Sequence, residues 1–202
     1  MKIVEEILKT RLPKTNLLVL DAIKNRFSPR VFSSDSIPQE NIEIILEAAR
    51  HAPSGRNYQP WFFYYVKQGT KEYEKLFTCI PERNFWAKTA PVIIVACCDP
   101  TDPKEVKNRW ALYDLGASVM SLILEATELK YSCRQIGSFD WGKTKQEFSI
   151  PDPYEPFTLI AIGKMGTEDD YQKADKEIVE KELVPNPKKT KISENLKIRE
   201  EN

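Results

Sequence analysis

Apolar and polar positions recur along this chain with two different periods, and each change of period marks a predicted element. Residues 3–11 carry Ile3, Val4, Ile7 and Leu8 at helical spacing, which predicts a short amphipathic helix before Pro13, an N-terminal accessory arm. Leu17 to about Arg26 repeats the pattern through Leu17, Leu20, Asp21 and Ile23. Its Lys24 and Arg26 are cations that suit a helix C-terminus, and Pro29 is the stop. The clearest helix is predicted from Pro38 to His51. Pro38 stands at an early position, Glu40 in the first turn, and Ile42, Ile45, Leu46 and Ala49 on one face, with Pro53 closing it.

Trp61–Val66 is an aromatic and β-branched run and predicts a strand, ended by Lys67-Gln68-Gly69. Ala90–Cys98 is apolar at successive positions, the pattern of a central strand buried on both faces. A short helix is predicted over Glu72–Phe77 and a long one from about Lys107 to Leu129. The long helix is apolar nearly all round between Trp110 and Leu124, with Gly116, Ala117, Ser118 and Ser121 allowing close packing, so it needs partners on every side. Tyr131–Phe139 and Phe157–Gly163 are further strands, separated by a short helix near Lys143–Ser149 and the turn Pro151-Asp152-Pro153. From Pro185 the chain turns Lys-, Asn- and Glu-rich, a charged tail unable to fold alone.

At 202 residues with 41% apolar content, one compact domain with a substantial core is expected. Thirty basic residues balance thirty acidic ones. No long-range field then draws the chain to nucleic acid or an anionic membrane, and any anion site must be built locally. Met1-Lys2-Ile3-Val4-Glu5-Glu6 puts acids where a secretory peptide needs an apolar run, and Val92–Cys98 is far too short to span a bilayer. A cytoplasmic location without membrane contact is expected. Cys79, Cys97, Cys98 and Cys133 show no C-x-x-C spacing and have only His51 to join them, so no zinc or iron–sulfur site is expected. Cys97 and Cys98 read as buried free thiols on opposite faces of a strand.

Two segments carry candidate chemistry. Arg26-Phe27-Ser28-Pro29-Arg30 places two guanidiniums and a hydroxyl on a short loop, a donor set able to grip phosphate oxygens bidentately. The same residues also read as helix-end cations satisfying carbonyls or pairing with acids such as Asp35. Pro53-Ser54-Gly55-Arg56-Asn57-Tyr58-Gln59-Pro60-Trp61 combines rigid prolines and a permissive glycine with Ser54, Asn57 and Gln59, which can serve the polar edge of a flat heterocycle. An ordinary rigid connection uses the same residue types.

Taken jointly and in this order, the two segments resemble the nitroreductase family of FMN enzymes, with their R-[RH]-S-x-[RK] stretch, a helix, and a P-S-x-x-N-x-Q-P-W loop leading into a strand. Asp114 at the start of the long helix, Ile136-Gly137-Ser138-Phe139 and Leu159–Gly163 extend the resemblance over about residues 17–185. It implies an α+β, three-layer fold with a central mixed sheet flanked by helices. It also implies a homodimer, with a C-terminal extension embracing the partner subunit. Residues 1–16 would be an N-terminal arm, 17–185 the FMN-binding domain and 186–202 a charged tail.

The same resemblance implies roles. Arg26, Ser28 and Arg30 would hold the phosphate, ribityl and pyrimidine portions of FMN, with Phe27 contributing backbone or packing. Pro53, Ser54, Asn57 and Gln59 would approach the ring from the partner subunit, and Ile136, Gly137 and Ser138 would lie against it near N5. NADH or NADPH would donate hydride to flavin N5 and leave. A small acceptor, whether a nitroaromatic, quinone, free flavin or unsaturated carbonyl, would replace it in ping-pong turnover. No side chain is nominated as catalytic, and His51 reads as a helix-end residue. The chain departs from the family pattern at Phe27, where Arg or His is usual. It departs again near the C-terminus, where Lys173 is the first phosphate candidate and Lys164 the second, with Asp175 close by. A flavin-binding carrier or sensor without turnover is the alternative function.

Overall fold

The computed structural model describes residues 2–12, 15 and 17–185. In chain order these form α1 (Ile3–Arg11), α2 (Asp21–Asn25), α3 (Gln39–Arg50), β1 (Trp61–Lys67), α4 (Lys71–Phe77), β2 (Val92–Cys98), α5 (Ala111–Glu128), β3 (Ser132–Ile136), α6 (Trp141–Glu147), β4 (Glu155–Gly163), α7 (Glu168–Lys173) and α8 (Lys176–Leu183). Short 3₁₀-helical segments cover Gly55–Asn57 and Glu82–Thr89.

The strands form one sheet in the order β1-β2-β4-β3. β2 is interior, and all seven of its residues are buried, as its unbroken apolar run predicts. Strand alternation divides them between two cores: Val92, Ile94, Ala96 and Cys98 pack towards α3 and α5, and Ile93, Val95 and Cys97 towards α4 and the 82–89 segment. Helices therefore cover both faces, giving the expected three layers of an α+β fold. Cys97 and Cys98 point to opposite faces. Burial pushes both thiols up to about 12.

A mixed sheet was expected, whereas every pairing among the described residues is antiparallel. The connections explain it. β2 and β3 run in the same direction, joined by the α5 crossover that a parallel pair requires, but β4 returns between them and pairs antiparallel with both.

A helix from Leu17 to Arg26 was also expected, yet only Asp21–Asn25 is helical. Leu17, Leu18 and Leu20 are 65%, 105% and 70% exposed. Exposed to that degree, they bury little against the rest of the chain, and so short a helix is marginal without such packing. The N-terminal segment behaves differently. Ile7 of α1 is fully buried in a third core with Phe27, Val31 and Tyr171, against which Ile178, Val179 and Leu183 pack. Glu168 at the start of α7 accepts hydrogen bonds from the main-chain N–H groups of Ile3 and Val4 at 2.7 and 3.1 Å, satisfying donors that the first turn of α1 leaves unpaired. The tail 186–202 lies outside the described residues. No helix among the described residues is long and apolar enough to cross a membrane.

Candidate functional site

The chain from Arg26 to Pro29 has no regular secondary structure and bends at Arg30, and burial alternates along it to Val31. Phe27, Pro29 and Val31 are buried while Arg26, Ser28 and Arg30 are half-buried. Phe27 anchors the segment in the third core, which turns the two arginines and the serine to the opposite side. Arg26 Nη1 donates to Ser28 Oγ at 3.1 Å. A third guanidinium arrives from β3: Arg134 Nη1 donates to the Ser28 carbonyl at 2.5 Å while its plane lies 5.2 Å from the Trp86 ring centroid.

The far side of this cluster comes from the C-terminal helices. Glu182 of α8, 1% exposed, accepts the main-chain N–H of Arg30 and, at 2.6 Å, the hydroxyl of Tyr171. Its carbonyl accepts Arg11 Nε from α1 at 2.8 Å. Burial, then the charges of Arg30 and Arg11, hold Arg134 down at about 10, and burial also lowers Arg30. Burial raises Glu182 against the pull of its hydrogen bonds from Tyr171 and Arg30.

Positive charge is thus in surplus in a partly dry place. Among the described residues the Arg30 side chain donates no hydrogen bond, and Arg26 and Arg134 each spend one donor on Ser28. Unspent guanidinium forks beside a hydroxyl suit a phosphate monoester, which carries about −1.5 to −2 charge near neutral pH. The residues present therefore fit the phosphate end of FMN.

The second segment is a tight loop between α3 and β1. Arg56, Asn57 and Gln59 adopt φ of 52°, 58° and 49°. The left-handed region costs a residue bearing a Cβ roughly 1–2 kcal/mol, so such a loop persists only where its surroundings hold it. Gly55 N–H donates to the buried Asp114 carboxylate of α5 at 3.0 Å, and Gln59 N–H to Ser54 Oγ at 3.0 Å. Asn57 N–H reaches the Ser54 carbonyl at 3.0 Å, and Gln59 Nε2 the Asn57 carbonyl at 3.1 Å. Ser54 and Gln59 are consequently engaged within the loop. The Asn57 amide is exposed and makes no side-chain hydrogen bond among the described residues, and Pro53 is also exposed.

Ile136 ends β3 and is 3% exposed, whereas Gly137 and Ser138 are exposed beyond it. A Cβ at Gly137 would meet nothing within 4 Å. Ser138 Oγ accepts from Arg83, and its carbonyl from Asn84 Nδ2 at 3.1 Å. Arg134 stands three residues before Gly137, roughly 10 Å along an extended chain, so one strand joins the arginine cluster to this open stretch.

Lys164 and Lys173 do not join that cluster. Lys164 Nζ pairs with Asp35 Oδ2 at 3.1 Å on the surface, and Lys173 is exposed at the end of α7. Arg134, Arg11 and Glu182 were not foreseen from sequence. The one signal for Arg134 is a cation in a strand two residues ahead of Ile136.

The family model described as the nitroreductase family matches residues 23–164, well over half of the chain. This chain belongs to the nitroreductase family. A relative from Methanothermobacter thermautotrophicus, provisionally named an NADH dehydrogenase/NAD(P)H nitroreductase, is 31% identical over 152 residues, covering 72% of this chain and 76% of the relative. One from Archaeoglobus fulgidus with the same provisional name is 32% identical over 167 residues, covering 77% and 90%. A solved structure described as an oxidoreductase containing FMN superposes with a TM-score of 0.80 at 26% identity, covering 89% of this chain and 91% of that one. The nitroreductase segment contains Arg26–Arg30, the 53–61 loop, Arg134 and Ile136–Ser138. It leaves out α1, α7 and α8, and with them Arg11, Tyr171 and Glu182.

Proposed function

We propose that this nitroreductase-family chain is an FMN-dependent oxidoreductase that takes electrons from NADH or NADPH and passes them, in a ping-pong sequence, to a small acceptor such as a nitroaromatic or quinone. The observation that carries the reading is the surplus of half-buried guanidinium around Ser28, at the head of the segment the family shares. The provisional names of the two relatives and the FMN-containing neighbour support it.

When bound, FMN supplies the electron-transfer chemistry between nicotinamide and acceptor. The chain binds, orients and shields. Arg26, Arg30 and Arg134 neutralise the phosphate, Ser28 offers its hydroxyl, and Phe27 fixes the segment from behind. Ile136, buried, supports the stretch from behind, and Gly137 and Ser138 leave room for a flat ring beside the exposed main chain of Gly137. Arg134 takes the phosphate role for which Lys173 and Lys164 were the sequence candidates. No side chain of the chain is assigned a proton-transfer step. Residues 17–185 form the FMN-binding domain on this reading, with α1 docked upon it and the protein acting in the cytoplasm.

The 53–61 loop would serve the cofactor of a second subunit. Its outward Asn57 supports this, as do the exposed apolar side chains of α5 and of the residue before it, Leu112, Tyr113, Met120 and Trp110, which are 53%, 76%, 38% and 53% exposed. A group of exposed large apolar side chains of that kind marks a surface that another molecule covers.

The test is the visible absorption of the purified protein, followed by steady-state oxidation of NADH and NADPH with menadione or a nitrofuran. Flavin absorption with turnover is expected. A colourless protein that takes up no added FMN sinks the proposal, and FMN binding without turnover on any acceptor replaces it with the carrier or sensor alternative.

A further inference from the structure

Glu182 lies outside the segment shared with the family, yet it reaches the middle of the arginine cluster. Its surroundings are unusual for a residue in a Glu- and Lys-rich helix: it is 1% exposed, while its neighbours Glu180 and Lys181 face solvent. One carboxylate oxygen receives the Tyr171 hydroxyl at 2.6 Å, and the other receives a main-chain N–H, that of Arg30. Burying a carboxylate is costly, and a fold tolerates it where the group is fully hydrogen-bonded and needed.

Gripping the N–H of Arg30 has a geometric effect that an ion pair with its guanidinium would not have. It fixes the main chain of the Arg26–Arg30 segment at its C-terminal end, and Arg134 fixes the same segment through the Ser28 carbonyl. The Arg30 guanidinium is then left with its donors unspent, aimed by a backbone that cannot turn. Arg11 secures the other partner in this contact by donating to the Glu182 carbonyl at 2.8 Å, tying α8 to α1.

We infer that Glu182 is a positioning residue of the phosphate cradle, so that α1, α7 and α8 are working parts of the cofactor site although the family segment ends before α7. The inference rests on the FMN reading above. It makes a specific claim beyond it: Glu182 acts through Arg30 on the phosphate and not on the ring. A preorganised cradle binds more tightly because less ordering remains to be done on binding.

The experiment compares FMN with riboflavin, which has the same ring and no phosphate, by fluorescence titration of the full-length protein. Glu182→Ala should weaken FMN binding about tenfold, the size of one lost charge-assisted hydrogen bond, with riboflavin affinity unchanged. Glu182→Gln keeps an acceptor for the Arg30 N–H and removes one negative charge from the anion's vicinity. It should bind FMN at least as tightly as the wild type. Tyr171→Phe removes a single hydrogen bond to the carboxylate, and should weaken FMN about twofold to fivefold even if Glu182→Ala fails to fold. Equal losses of FMN and riboflavin in Glu182→Ala and Tyr171→Phe, or no loss of either, overturn the positioning role. A wild-type protein that binds riboflavin and FMN equally also overturns it, and one that binds neither overturns the FMN reading itself.

Discussion

The main-chain N–H of Gly55 donates to the buried carboxylate of Asp114 at 3.0 Å, linking the loop after α3 to the first turn of α5 across 59 residues of sequence. Gly55 is not demanded by space there, since a Cβ would stand 3.6 Å from Asp114 Oδ2, an ordinary contact. The fixed point of the loop is the carboxylate. Asp114→Ala should therefore cost about 1.5–3 kcal/mol in urea unfolding, the worth of one hydrogen bond to a charged group, and Gly55→Ala much less. Equal costs for the two variants would place the constraint in the glycine.

Replacing Arg26 and Arg30 together by alanine should strip FMN from the protein during gel filtration while the far-ultraviolet circular dichroism stays unchanged. Both side chains are half-buried and contribute charge to the cluster more than packing to a core. FMN retained at wild-type stoichiometry would move the phosphate elsewhere.

Asn57 tests the outward face of the loop. At φ 58° glycine relieves left-handed strain of roughly 1 kcal/mol and adds unfolded-state entropy of similar size, so Asn57→Gly should leave the melting temperature nearly unchanged. Its flavin affinity or reduction potential should change, because only the amide has gone. Unaltered affinity and potential would make Asn57 a turn residue and nothing more.

Burial raises Cys97, Cys98 and Cys133 from an ordinary 9.0 to about 12. A folded-state value above the unfolded one means stability that is fully present below pH 9 and is lost as pH rises towards 12. At pH 10 each thiol should cost the folded state about 1 kcal/mol relative to pH 8, read from urea midpoints. In the native protein at pH 8 these three should resist a thiol reagent that labels them at once in denaturant.

Leu112→Glu with Tyr113→Glu on α5 should convert a dimer to a monomer in light scattering, since burying each such side chain is worth about 1.5–3 kcal/mol and a buried unpaired charge reverses the sign. A wild-type monomer at micromolar concentration would remove the dimer from the proposal.

Local pattern carried much of this architecture. Seven successive apolar residues in β2 announced an interior strand, and Ile42, Ile45 and Ala49 announced the buried face of α3. The Arg26–Arg30 and Pro53–Trp61 segments were visible because each concentrates its chemistry within a few residues. What stayed hidden depends on distant chain meeting. Leu17–Leu20 have a helical pattern but stay largely exposed, so the pattern overstates α2. Glu182 sits in a run of Glu and Lys that reads as a solvated face, and only the third core buries it. Arg134 looks like a polar residue on an edge strand until Ser28 and Trp86 are brought beside it. The antiparallel sheet was equally non-local, because the insertion of β4 between β2 and β3 is a property of chain order and not of any strand's composition.

The arginine cluster draws on Arg11 of α1 and Glu182 of α8, 171 positions apart. Cleavage between β4 and α8 would leave every strand of the sheet in place and remove the contact that closes this anion site, so the sheet and the site can fail separately.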